Sequence, residues 1–116
     1  MILIGYSKCT TCKSAIKWLE ENNQVFTFRE IKDENPSIEE LKDFHQKSDL
    51  PLKRLFNTSG LIYKSLGLKD KLPNMSDEEQ FELLATDGML VKRPLLILDD
   101  KVLIGFKPKQ WVEELL

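Results

Sequence analysis

Three successive patterns of apolar residues near the start of the chain constrain its fold most. Residues 2 to 6 form an apolar run that is typical of a buried strand. From Thr10 the apolar residues recur at helical spacing, and they are Cys12, Ala15, Ile16 and Leu19. Residues 25 to 30 return to strand character. A strand, a helix and a second strand in this order predict a right-handed crossover between two parallel strands.

The middle of the chain is helical in pattern, and we predict four helices and no strand between about residues 36 and 88. Ser37 with Glu40, and Ser76 with Glu79, each match the capping box that begins a helix. Residues 51 to 56 and 61 to 66 predict two shorter helices, and Gly67 is expected to end the second of them.

Strand character resumes after Pro94. Residues 95 to 98 and 101 to 104 predict a hairpin, and Pro108 suits the first turn of a last helix. We therefore predict an α/β fold with a four-stranded mixed sheet, in which a helical insertion at about 36–88 separates a βαβ unit from a ββα unit. Residues 1–116 are expected to form a single domain.

The charge of the chain gives no reason to expect direct binding to nucleic acid. Its 17 basic and 19 acidic residues are interspersed and leave a net charge of -2. The apolar run at the start is too short for a signal peptide or a membrane span, so we expect no membrane association and a cytoplasmic location. In that compartment a close cysteine pair is more often catalytic or metal-binding than structural.

Cys9 and Cys12 carry the most informative motif, C-x-x-C, and four interpretations apply to it: a redox pair, half of a metal site, a disulfide staple or two buried thiols. A zinc site needs about four ligands, but the chain has no third cysteine and its one histidine, His45, lies in the middle segment. The loop before a helix does not bury Cys9, so two inert thiols fit that residue poorly. The redox interpretation is therefore the strongest, and we expect no metal.

The position of each cysteine predicts a different role. Cys9 lies just before the first helix, where unpaired backbone N–H groups stabilise a thiolate, and Lys8 and Lys13 add positive charge nearby. Cys12 lies one turn further on, on the apolar face of the helix that is expected to pack inward. Cys9 is thus the predicted nucleophile, and Cys12 is the predicted resolving thiol.

Arg93 and Pro94 form the second informative motif. A proline directly before a strand fits a rigid turn, and the bond before it can be cis. Arg93 would then be placed to bind an oxyanion or to stabilise a thiolate. An ordinary strand-entry proline and a solvated arginine are the alternatives.

Together these motifs resemble the arsenate reductase ArsC/Spx family, which has a thioredoxin-like fold and is related to the glutaredoxins. The resemblance runs over nearly the whole chain and is most specific at residues 6–15, 63–68 and 92–97. It implies that Cys9 is the catalytic cysteine and that Arg93 binds the substrate oxyanion. At two further positions where the arsenate reductases have arginine, this chain has Asn57 and Lys107. With Lys8 and Pro94, these residues complete the predicted substrate site.

The resemblance implies a thiol-disulfide oxidoreductase, an enzyme similar to the ArsC-type reductases, with arsenate as one possible substrate. A disulfide or another small molecule is the expected substrate otherwise, and glutathione, glutaredoxin or thioredoxin is the expected electron donor. We expect no bound cofactor and a monomer. The alternative is an Spx-like redox-sensing regulator that acts through RNA polymerase. Because Spx chains usually continue past the last helix and this one stops at Leu116, we favour the enzyme.

Overall fold

The computed structural model describes residues 1–116, and its strands and first helix follow the predicted order. The strands are β1 (Ile2–Gly5), β2 (Thr27–Glu30), β3 (Leu95–Ile97) and β4 (Val102–Ile104). The α-helices are α1 (Thr10–Glu21), α2 (Ile38–Ser48), α3 (Leu61–Ser65), α4 (Leu68–Lys71), α5 (Asp77–Leu84) and α6 (Pro108–Leu115). Single turns of 3-10 helix occupy Leu52–Leu55, Leu72–Asn74 and Gly88–Leu90.

The four strands form one mixed sheet in the order β2-β1-β3-β4. β1 pairs in parallel with β2 and antiparallel with β3, and β3 pairs antiparallel with β4. Leu3 lies opposite Leu96, which in turn lies opposite Leu103, so a row of apolar side chains crosses the central strands. The structure confirms the predicted α/β fold class with its βαβ and ββα units.

Alternate residues of the sheet face two separate apolar cores. One face, which includes Leu3, packs against α1 and α6 through Leu19 and the fully buried Trp111. The opposite face, which includes Ile4, packs against the helices between β2 and β3, among them Leu41 of α2. Because side chains alternate across a strand, neighbouring residues of β1 serve different cores. The sheet is therefore covered on both sides, and the ends of its central strands remain available for a site.

Local side-chain chemistry begins two of the helices as predicted. The Ser37 hydroxyl accepts a hydrogen bond from the Glu40 N–H at 3.1 Å, and the Glu40 carboxylate accepts one from the Ser37 N–H at 3.1 Å. Ser76 and Glu79 form the same reciprocal pair at 3.1 and 2.9 Å. Gly67 follows α3 with a left-handed φ of 65°, which a residue without Cβ adopts at little cost.

Two predictions about element boundaries were wrong. β2 begins at Thr27, which is paired with Ile2 of β1, so the residues before Thr27 have no neighbouring strand. Val25 is accordingly 87% exposed. The segment at about 36–88 contains more helical turns than the four predicted helices, because α4 and the 3-10 turn at Leu72–Asn74 are too short to show a helical period. The helix predicted at 51 to 56 is a single 3-10 turn, Leu52–Leu55. None of the helices has the length and apolar character that crossing a membrane requires.

Candidate active site

Cys9 lies at the junction between the sheet and the first helix. It is the N-cap residue of α1, with extended backbone angles, and is half-buried. Its N–H donates to the Tyr6 carbonyl at 2.9 Å, and its own carbonyl accepts a hydrogen bond from the Lys13 N–H at 3.0 Å. These backbone bonds fix the loop that connects β1 to α1, and they place the Cys9 sulfur at the start of the helix.

Cys12 lies one turn into α1 and is fully buried. Its sulfur accepts a hydrogen bond from the Tyr6 N–H at 3.4 Å. The same sulfur packs against Gly5, where an added Cβ would lie only 3.0 Å from it. A glycine at the end of β1 therefore leaves room for the second thiol. Both cysteines are free thiols.

The surroundings of Cys9 favour its thiolate. Burial by itself raises the pKa of Cys9, but the backbone N–H and thiol of Cys12, the backbone N–H of Thr11 and the charge of Arg93 together bring this pKa below its ordinary value. The Cys9 side chain makes no capping hydrogen bond of ordinary geometry, so the amides act on the sulfur as nearby dipoles at the helix start.

The surroundings of Cys12 have the opposite effect. Burial raises the pKa of Cys12 to about 12, and the hydrogen bond to Cys9 and the negative charge of the Cys9 sulfur act in the same direction. The Tyr6 N–H opposes this shift. Cys12 is thus a protonated thiol beside the more acidic thiol of Cys9. The two environments make Cys9 the more acidic thiol and Cys12 the less acidic one, as the roles of attacking and resolving thiol require.

Arg93 lies across the site from the cysteine loop, on the chain that leads into β3. The bond between Arg93 and Pro94 is cis, and Pro94 is buried. The Arg93 guanidinium lies 5.7 Å from the centre of the Tyr6 ring. Its Nη1 donates to three backbone carbonyls between residues 88 and 91 at 3.3 to 3.5 Å. The side chain is therefore held in place by carbonyl dipoles and by an aromatic face.

Arg93 has no carboxylate partner, because no acidic side chain lies within ion-pair distance of its guanidinium. Its Nε is buried and donates no hydrogen bond within the protein. An arginine whose charge is not balanced by a carboxylate is available to an anion. The Cys9 thiolate is one such anion, and an anionic substrate is another.

A cleft of about 490 Å³ opens beside this site. Thr11 of α1, two residues after Cys9, lines the cleft, whereas Cys9 and Cys12 themselves do not. Phe56 and Phe106 contribute aromatic surface, and no acidic side chain lines the cleft. Five cationic residues line it, namely Lys53, Arg54, Lys92, Arg93 and Lys107.

The structure brings some of the predicted site residues together and separates others. Arg93 and Lys107 line the same cleft. Asn57 does not line it, although its neighbours do, and its N–H donates to the Leu90 carbonyl at 2.7 Å. Lys8 is exposed on the cysteine loop, outside the cleft.

Sequence reasoning missed three of the cations in the cleft, Lys53, Arg54 and Lys92. The adjacent basic pair at residues 53 and 54 was a detectable signal. The position of this pair in the cleft could not be predicted, because it depends on how the 3-10 turn at Leu52–Leu55 packs against the segment before β3. In that contact the Lys92 N–H donates to the Leu55 carbonyl at 2.7 Å.

The chain is similar in sequence to a known protein family. The sequence model of the ArsC family matches residues 4–113. The chain belongs to the ArsC family. The match includes both cysteines and both of the predicted cations in the cleft, Arg93 and Lys107.

Solved structures agree with this ArsC membership. A putative ArsC family related protein from Bacteroides fragilis is 53% identical, with a TM-score of 0.94 over 97% of this chain and 94% of the other. A possible arsenate reductase from Streptococcus mutans UA159 is 41% identical, with a TM-score of 0.84 over 91% and 90% of the two chains.

A regulator is also among the relatives of this ArsC chain. The regulatory protein MgsR of Bacillus subtilis (strain 168) is 30% identical over 104 residues, which cover 90% of this chain and 81% of the relative. The chain is therefore similar both to a possible arsenate reductase and to a regulatory protein.

Proposed function

We propose that this protein is a thiol-disulfide oxidoreductase in which Cys9 attacks an oxidised substrate and Cys12 resolves the adduct. One arrangement supports this most: Cys9 is half-buried at the N-terminus of α1, whereas Cys12 is fully buried one turn further on. The pKa of Cys9 is accordingly lowered and the pKa of Cys12 is raised. A pair of inert structural thiols would need no such difference. Family membership is consistent with thiol-based redox chemistry.

In the first step the Cys9 thiolate attacks one sulfur of a substrate disulfide. The Cys9–substrate sulfur bond forms, the substrate S–S bond breaks, and the second substrate sulfur leaves as a thiolate that takes a proton from water. Arg93, which has no carboxylate partner, stabilises negative charge near the reacting sulfurs. Lys107 adds positive charge on the same cleft.

In the second step Cys12 loses its proton and attacks the Cys9 sulfur. The Cys9–Cys12 disulfide forms and the remaining substrate fragment leaves as a thiol, so the substrate has gained two electrons and the protein has lost two. Adduct formation favours this step, because two of the three causes that raise the pKa of Cys12 come from the Cys9 sulfur and its charge. Once Cys9 is bound in the adduct its charge is gone, and Cys12 ionises more readily.

A disulfide is a better candidate substrate than arsenate. Of the positions that the resemblance assigns to oxyanion binding, only Arg93 keeps the forked guanidinium, while Lys107 is a point charge. The third position is Asn57, which does not line the cleft. Glutathione, glutaredoxin or thioredoxin in the cytoplasm would return the disulfide to two thiols.

A coupled assay tests the proposal. The protein is supplied with a disulfide, NADPH and either a thioredoxin or a glutathione regenerating system, and NADPH consumption is recorded. We expect turnover by the wild type, none by Cys9→Ser, and accumulation of a mixed disulfide on Cys9 in Cys12→Ser, seen as a mass increase equal to one substrate half. Absence of both turnover and adduct would overturn the proposal.

The second candidate is a redox-sensing regulator that acts through RNA polymerase. The similarity to the regulatory protein MgsR favours it. In that case the same disulfide would change affinity for a partner instead of transferring electrons to a substrate. Binding of the reduced and the oxidised protein to purified RNA polymerase discriminates the two: the regulator requires redox-dependent binding without turnover of any disulfide.

A further inference from the structure

The cations of the cleft exceed what the chemistry at Cys9 requires. The chain has a net charge of -2, yet the cleft has five cationic residues and no acidic one. None of the five takes part in an ion pair with a carboxylate of the protein. Uncompensated like charges around one cavity repel each other, and an anionic ligand relieves that repulsion.

The positions of these cations separate them into two groups. Arg93 and Lys107 correspond to positions that the resemblance assigns to an oxyanion, and Arg93 acts electrostatically on Cys9. Lys53, Arg54 and Lys92 have no such assignment, and the first two lie on the 3-10 turn at Leu52–Leu55. A ligand with a single anionic group near the Cys9 sulfur would therefore leave Lys53 and Arg54 without a negative partner.

The size of the cleft also exceeds that of an inorganic oxyanion. A tetrahedral oxyanion of five heavy atoms fills roughly the space of three water molecules, about 90 Å³. The cleft has about 490 Å³, within the range of sites that hold small organic molecules. Both its volume and its charge point to a ligand with several anionic groups on an organic frame.

We propose that the cleft selects small organic disulfides that carry two or more carboxylates. The reactive sulfur lies beside Cys9 and Arg93, and the more distant carboxylates bind Lys53, Arg54 and Lys92. This rests on the proposed thiol-disulfide chemistry and specifies its substrate class. The electron and proton balance is that of the reaction already described, because the carboxylates only bind.

A series of disulfides of similar size but different charge tests the selection. The probes are 3,3′-dithiodipropionate, which is a dianion, bis(2-hydroxyethyl) disulfide, which is neutral, and cystamine, which is a dication. We expect kcat/KM to be at least about tenfold higher for the dianion than for the neutral disulfide, and lowest for cystamine. Added salt should reduce the preference. Equal kcat/KM values for the three probes would overturn the inference.

Charge-reversal variants locate the preference. Lys53→Glu and Lys92→Glu should each lower the ratio of kcat/KM for the dianion to that for the neutral disulfide by about tenfold. Lys17→Glu is the matched control, because it changes net charge equally at a side chain that is 79% exposed and lies outside the cleft. An equal effect of all three substitutions would indicate a general effect of net charge and overturn the proposed site.

Binding without chemistry separates this inference from the proposed function. Isothermal titration of the Cys9→Ser variant with 3,3′-dithiodipropionate should show binding that Lys53→Glu weakens in that background. Such binding without turnover by the wild type would retain the anion site and reject the oxidoreductase. Turnover without charge preference would retain the oxidoreductase and reject the anion site. Tighter binding of inorganic arsenate than of the dicarboxylate would also overturn the inference.

Discussion

The carboxylate of Glu30 accepts hydrogen bonds from both the backbone N–H and the side-chain hydroxyl of Ser7. The N–H lies 3.1 and 3.2 Å from the two carboxylate oxygens, and the hydroxyl lies 2.8 Å from one of them. Ser7 precedes Cys9 by two residues, and Glu30 is the last residue of β2. The second strand thus anchors the loop that presents the nucleophile, across 23 positions of sequence.

Because this anchor is a pair, we predict that its two members are energetically coupled. Ser7→Ala and Glu30→Gln should each lower the free energy of unfolding by about 1 kcal/mol or less, since the bonds are exposed. The double variant should lose less than the sum of the two. Urea unfolding of the four proteins gives the coupling energy. Additive losses would show that the pair does not act as a unit.

We predict that Cys12 controls the pKa of Cys9 through its thiol as well as through its backbone. Cys12→Ala removes the side-chain donor, so the pKa of Cys9 should rise. Cys12→Ser keeps a donor at the same place and should raise the pKa of Cys9 less. The pH dependence of Cys9 alkylation measures both. Equal pKa values in the two variants would exclude a contribution from the side-chain hydrogen bond.

We predict that Arg93 acts by charge and by geometry. Arg93→Met removes the charge that lowers the pKa of Cys9, so this pKa should rise. The kcat/KM for a disulfide should fall about tenfold, which corresponds to about 1.4 kcal/mol in the transition state. Arg93→Lys retains the charge but loses the guanidinium group that contacts the backbone carbonyls. Its kcat/KM should therefore lie between those of the wild type and Arg93→Met. Wild-type kinetics in Arg93→Met would contradict this role.

We predict that Cys12 makes stability depend on pH in alkaline solution. Its pKa is about 12 in the folded protein and near 8.5 in an unfolded chain. Below the lower value the thiol is protonated in both states, and its full contribution to stability is present. As pH rises between the two values the unfolded state ionises first, so that contribution is lost. The stability advantage of the wild type over Cys12→Ala should shrink between about pH 9 and pH 12.

Urea unfolding of both proteins at a series of pH values measures this difference. The comparison cancels the titration of lysines and tyrosines that the two proteins share. In an unfolded chain of either protein the pKa of Cys9 is near 8.5, so its ionisation there is nearly complete above about pH 10. A constant difference over this range would show that burial does not perturb Cys12 in the folded protein.

Local interactions explain which parts of the fold the sequence could predict. The capping boxes at Ser37 and Ser76 join residues three apart, and α3 is followed by Gly67, which has a positive φ. The position of Cys9 directly before α1 is likewise local. Such features depend on residues that are close together in the sequence, so they can be predicted from it.

The basic cleft could not be predicted in the same way. Arg54, Lys92 and Lys107 are far apart in the sequence and meet only through the packing of the helical segment against the sheet. Asn57 was assigned to the site by the resemblance, but it does not line the cleft. Basic and acidic residues are interspersed along the sequence, but in the folded chain the cleft is lined by basic residues and by no acidic one.

The most direct test of the account is the pH dependence of Cys9 alkylation in the reduced wild-type protein. Iodoacetamide reacts with thiolates, and mass spectrometry of peptides distinguishes Cys9 from Cys12. We predict that the rate at Cys9 has its midpoint below the pKa of a free cysteine, about 8.5, and that Cys12 stays unmodified over the same range. A midpoint at or above that value, or equal reactivity of the two thiols, would contradict the assignment of Cys9 as the activated nucleophile.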